Sequence, residues 1–134
     1  MYSSFHASAA IGVLLLPLPI PVTIPLAIVS HAVVDMLGEG NINKWVPKEA
    51  VLNVFLLVAG FLSGHFLLAG LGIFLGNLFD FIDKVLLKKD FIHKQGVLGK
   101  IWYPPVLIQL TTSQTLFLNG LSVVITSLLM LMVK

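Results

Sequence analysis

The chain has 134 residues, 57% of them hydrophobic and 10% charged, with a formal net charge of +2, whereas a soluble domain averages about 25% charged residues. So apolar a chain of this length has too little interior to hide its own side chains, which excludes an ordinary soluble globule. The small, scattered charge argues against a nucleic-acid-binding surface, and the absence of cysteine excludes disulfides and thiolate sites.

A mean hydropathy of +1.01 points to an integral membrane protein. The composition and the spacing of apolar runs predict an all-α, polytopic fold of about four to five transmembrane helices in one domain, residues 1–134, with a proline-broken first segment. The opening stretch has no basic region before its apolar run, and its small residues precede that run, so the first apolar segment is expected to be retained.

In chain order, Ala7–Leu16 reads as a short helix. Pro17, Pro19 and Pro21 then predict an extended break over Pro17–Val22. Thr23 is a candidate cap for a second helix running to about Leu37, with Pro25 in its first turn and Gly38 and Gly40 ending it. A polar loop with Lys44 and Trp45 leads to a helix over Ala50–Ser63, a turn at Gly64-His65 and a span over Phe66–Leu87. Gly60 with Gly64, and Gly72 with Gly76, are small-xxx-small pairs that favour a tight hairpin of these two helices. After the polar stretch Lys88–Tyr103, Pro104-Pro105 opens a last span to about Val133. That span carries Thr111, Thr115, Asn119 and other hydrogen-bonding residues, so one side of it should face protein or a cavity.

Most lysines fall between Lys84 and Lys100 or at Lys44 and Lys48, which places both loops in the cytoplasm by the positive-inside rule. Counting from Thr23, His31 lies about 12 Å down its helix, Asp35 about 18 Å and Glu39 about 24 Å; counting from Phe66, Asp80 lies about 21 Å down and Asp83 about 26 Å. His31, Asp35, Asp80 and Asp83 can therefore meet near the cytoplasmic face. His6 and His93 fall on the same side and His65 on the other.

Imidazole and carboxylate together suit a divalent transition metal such as zinc or manganese, and the number of carboxylates leaves room for two ions. In this reading His31, Asp35, Asp80 and Asp83 are the metal ligands, and His6, His93 and Glu39 complete the site or act as acid and base. Plain structural readings stand beside it. His31 and Asp35 can hydrogen-bond each other, and Asp80 and Asp83 can pair with Lys84 near a helix end. Glu39 can be a solvated helix-end group, and His6 and His93 ordinary terminal and loop residues.

SHAVVD followed by LGEG and Trp45-Val46-Pro47 resembles the sHxxLD…G…P signature of the LexA-regulated inner-membrane protein family, described as membrane-bound metal-dependent hydrolases. His6 in FHASAAIG resembles its tHxxxG element, GNLFDFIDK its GxxxPDxD element, and His93 its histidine-containing stretch. The order of the motifs is reversed here, and Phe79 stands where that family has proline. His65 in GHFLLAGLG also fits tHxxxG, which makes the chain two related halves. The resemblance implies metal-dependent hydrolysis of a lipid-like or phosphoester substrate in a prokaryotic inner membrane. Two other functions compete: a small homo-oligomeric proton or cation transporter, and a non-catalytic lipid-binding or holin-like membrane protein.

Overall fold

The computed structural model describes residues 3–38, 46–82, 86 and 106–133. Three candidate site residues, Glu39, Asp83 and His93, lie outside them. Six helices are described: α1 (Ser3–Leu14), α2 (Ile20–Asp35), α3 (Val46–Leu62), α4 (Phe66–Gly76), the single turn α5 (Leu78–Phe81) and α6 (Thr112–Met132). Two short strands, β1 (Leu37–Gly38) and β2 (Ile108–Gln109), complete the set.

Helix α1 sits at the centre, packed by α2, α3, α4 and α6. Its sequence, SSFHASAAIGVL, is dominated by small residues, which let neighbouring backbones come close. Ala7 and Ile11 join Leu56, Ala59, Ala69, Val123 and Met130 in one buried cluster. Ala10, Ala27 and Leu75 form a second cluster between α1, α2 and α4.

The closest approach is at Gly76, where an added Cβ would stand 2.5 Å from the His6 carbonyl oxygen and 2.9 Å from the Ala7 nitrogen. Gly72 lies equally tight against Ile11. The Gly72/Gly76 pair therefore packs on α1, not on α3 as a hairpin reading expects. The α3–α4 hairpin is closed instead by Gly60 against Ala69, with Gly64 turning the chain at φ 78°, a backbone region that glycine enters without steric cost.

The expected four to five membrane spans are not found. Among the described residues, α6 alone is long and apolar enough to cross a membrane. At 1.5 Å per residue, its 21 residues reach about 32 Å, while α1 to α4, at 12, 16, 17 and 11 residues, reach about 18, 24, 26 and 17 Å against a hydrocarbon core of about 30 Å. The runs were apolar enough but are cut short. The predicted Phe66–Leu87 span stops at Gly76, because Asn77 leaves helical geometry with φ −108° and ψ 10°.

Helix boundaries also differ from expectation. Helix α1 already includes Ser3–His6, ahead of the expected Ala7, and Ser4 and His6 of that turn are buried in the bundle. Helix α2 starts at Ile20, with Pro19 as its N-cap and proline in its first turn, and it carries Pro25 internally. It ends at Asp35, and Leu37–Gly38 then pairs in parallel with Ile108–Gln109. Gly38 is thus a position of close approach to Val106 and Gln109, not a helix cap. The last helix begins at Thr112 and is capped by Thr111, whose side chain accepts from the Gln114 backbone amide while the Gln114 side chain accepts from the Thr111 backbone amide.

Polar groups lie inside and large apolar groups outside. Ser4, His6, Ser8, Thr23, His31, Thr115, Asn119 and Thr126 are buried, while Phe61, Leu67, Phe117 and Met132 are exposed. On α6 the buried positions Thr115, Asn119, Val123, Thr126 and Met130 recur at helical spacing and face the bundle. The polar side expected of this helix is therefore present. Asn119 Oδ1 accepts from Ser4 Oγ at 2.7 Å.

Candidate functional site

The inward polar groups converge where the start of α1, the last turn of α2 and the end of α4 meet. His31 and Asp35 are four residues apart on α2, so helical geometry places them on one face. The close approach at Gly76 brings the first turns of α1 onto that face, and His6 with them.

Asp35 lies between two imidazoles. Its Oδ1 is 3.2 Å from His6 Nε2 and its Oδ2 is 3.3 Å from His31 Nε2. The rings stack with centroids 3.9 Å apart and 14° between planes, and the edge of Phe79 packs on His31. Both histidines are about 1% exposed, so each nitrogen must find a partner within the protein or in what binds there.

The partners fix the proton positions. His31 Nδ1 is 2.6 Å from the Gly76 carbonyl oxygen, which only accepts, so Nδ1 carries a proton. Its Nε2 faces a carboxylate and is best satisfied with a second proton. Burial acts to lower the His31 pKa, but the hydrogen bonds to Asp35 and Gly76 and the charges of Asp35 and Asp80 outweigh it, and the group is raised above its ordinary value.

His6 goes the other way. Burial dominates and holds its pKa below the ordinary value despite Asp35, with the neighbouring His31 pushing in the same direction. Asp35 is held well below the usual carboxylate range: burial alone would raise it, but the hydrogen bonds and charges of the two imidazoles win. The pair thus holds one extra proton, on His31. His6 donates from Nε2 to Asp35, and its Nδ1 is a buried lone pair without a hydrogen-bond partner.

Asp80, half-buried on α5, completes the group. One donor atom each from His6, His31 and Asp80 lies within 4.8 Å of the others. A tetrahedral zinc site has donors about 3.4 Å apart, so a bound ion would draw the three inward. His6 can give its Nδ1 lone pair without breaking any bond, whereas His31 must first release a proton from Nε2. The donor set and the orphaned nitrogen together fit a divalent ion.

The structure thus brings together His6, His31, Asp35 and Asp80. His65 is elsewhere, at the α3–α4 turn, where its Nε2 donates to the Val133 carbonyl at 2.8 Å. Sequence reading gave Asn77 no role. Its Nδ2 donates to the Ile73 carbonyl at 2.8 Å and the Ser3 carbonyl at 3.2 Å, and its Oδ1 is buried without a partner. The only hint in the sequence is its i, i+3 spacing to Asp80. An apolar groove of about 270 Å³, lined by Leu14, Leu18, Ile20, Thr23, Ile24, Leu67, Leu68 and Leu71, opens at the other end of the α1–α2–α4 seam. From Thr23 to His31 is about 12 Å along α2. No protein-family model, curated protein or solved structure matches the chain.

Proposed function

We infer that this protein is a membrane-associated, divalent-metal-dependent hydrolase whose ion is held by His6, His31 and Asp80, with Asp35 orienting His6 and the Gly76 carbonyl orienting His31. The observation that carries this reading is the convergence of those three donors in a buried place where one imidazole nitrogen lacks a partner. Buried ionisable groups are costly, and such a cluster is more readily explained by a ligand than by packing.

The chain's own residues would divide the work as follows. Gly76 holds His31 in one tautomer, and Asp35 holds His6 with Nδ1 bare, which is the outer-carboxylate arrangement that sharpens imidazole ligands. A divalent ion in such a site supplies Lewis acidity and an activated water for attack on an ester or phosphoester. Zinc and manganese both accept nitrogen and oxygen donors.

Membrane association is supported by α6, which has the length and apolarity of a span, and by the exposed apolar side chains of α3 and α4, among them Phe55, Phe61, Leu67 and Phe74. A lipid-like substrate is favoured by the apolar groove on the same helix seam. The short motifs resembling the inner-membrane hydrolases favour a prokaryotic inner membrane.

The test is elemental analysis of the detergent-purified full chain, in wild type and in Asp80→Ala and His6→Gln. Near-stoichiometric zinc or manganese that drops in both variants supports the reading. Metal-free wild type, reloaded with either ion and still empty, would sink it. A second reading is favoured by the hydrogen-bonded His6–Asp35–His31 chain, which suits proton transfer in a transporter. It predicts pH-driven flux in liposomes that Asp35→Asn abolishes, without bound metal.

A further inference from the structure

Asn77 stands next to the cluster by three independent links. The residue before it, Gly76, takes the hydrogen bond of His31. The residue three after it is Asp80, on the single-turn helix α5 that Asn77 precedes as its N-cap. Its own side chain is tied to Ser3, one turn before His6 on α1.

Those ties also orient it. Both protons of Nδ2 are spent on carbonyl oxygens, at Ile73 and Ser3. Rotating the carboxamide by half a turn would set Oδ1 against two carbonyls, so the amide is fixed with Oδ1 facing away from them. That oxygen is buried and has no hydrogen-bond partner, a state that costs roughly 1–3 kcal/mol unless something fills it. His6 Nδ1 is in the same position. A nitrogen on α1 and an oxygen on the residue that follows Gly76 are thus both left bare, and each needs either a proton donor or a cation.

We propose that Asn77 Oδ1 is the fourth protein donor to the divalent ion held by His6, His31 and Asp80. This rests on the metal reading above. It also sharpens the choice of ion. Two imidazoles, one carboxylate and one carboxamide fill a tetrahedron, so hydrolysis at this site requires an ion that accepts a fifth or sixth ligand. Manganese does so more readily than zinc, because oxygen-rich octahedral sites are its ordinary setting.

The experiment is a titration of the purified full chain with Co²⁺ and with Mn²⁺, in wild type, Asn77→Leu and Asn53→Leu. Asn53 is the control: its Oδ1 is also buried without a partner and its Nδ2 donates to Ser3 Oγ at 2.8 Å, so it shares the tie to Ser3 but lies on α3, away in sequence from Gly76 and Asp80. Asn77→Leu should weaken both ions at least tenfold and shift the visible Co²⁺ absorption, while Asn53→Leu leaves both unchanged. Wild-type binding with Asn77→Leu within twofold of it overturns the Asn77 assignment alone. Wild type that binds neither ion overturns the metal reading and this assignment together. Should Asn77→Leu not fold, ¹⁵N-labelled wild type decides: added zinc must move the Asn77 side-chain amide signal, and an unmoved signal overturns the proposal.

Discussion

His6 and His31 lie face to face with 3.9 Å between ring centroids, and both point Nε2 at the one carboxylate of Asp35. Two imidazolium ions at that separation would repel strongly. The carboxylate can balance one of them, and the Gly76 carbonyl favours His31, by fixing a proton on it. The asymmetry of the pair is therefore set by the deeper burial of His6 together with a backbone oxygen on α4 that only His31 reaches.

Opposite pH dependence of the two histidines follows. His31 is raised above its unfolded value, so its contribution to stability is complete below about pH 6.5 and is lost as pH rises through its folded pKa. His6 is lowered, so its contribution is present above about pH 6.5 and is lost as pH falls below that value. In metal-free protein, His31→Gln should lose stability relative to wild type between pH 7.5 and 5.5, because only His6 is left to titrate. His6→Gln should gain over the same interval. Thermal melts in detergent at the two pH values check the signs, and parallel behaviour of the two variants would contradict the assignment of the proton to His31.

The approach of α1 to Gly76 makes a second prediction. A methyl group at residue 76 would meet the His6 carbonyl at 2.5 Å, and both contacting atoms are backbone, so α1 itself must move. Gly76→Ala should cost about 1–3 kcal/mol by overpacking and separate His6 from Asp35. Gly12 is also helical, but nothing lies within 4 Å of its added Cβ, so Gly12→Ala should stabilise by about 0.4–1 kcal/mol through helix propensity and a less flexible unfolded chain. Denaturation midpoints of the two variants should move in opposite directions.

These relationships were legible in the sequence to different degrees. His31 and Asp35 could be paired from spacing alone, because four residues on one helix is a local fact. Asp80 does lie near His31, but the depth count that placed it there took Phe66–Leu87 as one unbroken helix, and the chain leaves helical geometry at Asn77. The number of membrane spans was misread, because apolar composition reports where side chains are content to lie and says little about where a helix stops. The break at Asn77 comes directly after Gly76, which presses against α1 in a contact between residues 70 positions apart that no local pattern encodes. Asn77's unpartnered oxygen was hidden for the same reason: it is defined by Ser3 and Ile73 taking the amide protons. The Leu37–Ile108 ladder likewise joins distant segments of two residues each, too short to show any periodicity.

The buried hydrogen bond from Ser4 Oγ to Asn119 Oδ1, at 2.7 Å, ties the start of α1 to the middle of α6. Both residues are at most 2% exposed, so removing one partner leaves the other without water to replace it. Asn119→Leu should therefore cost about 1–3 kcal/mol, the penalty of a stranded hydroxyl. Ser4→Ala alone strands the amide oxygen and should cost a similar amount. The double variant strands neither, and its loss should be clearly smaller than the sum of the two single losses, a coupling of about 0.5–3 kcal/mol for groups in direct contact. A double-mutant cycle on denaturant unfolding in detergent measures it. Additive losses would mean that Ser4 and Asn119 act separately, and that α6 is held to α1 by the packing of Val123 and Met130 and by the Thr126–Ser8 hydrogen bond.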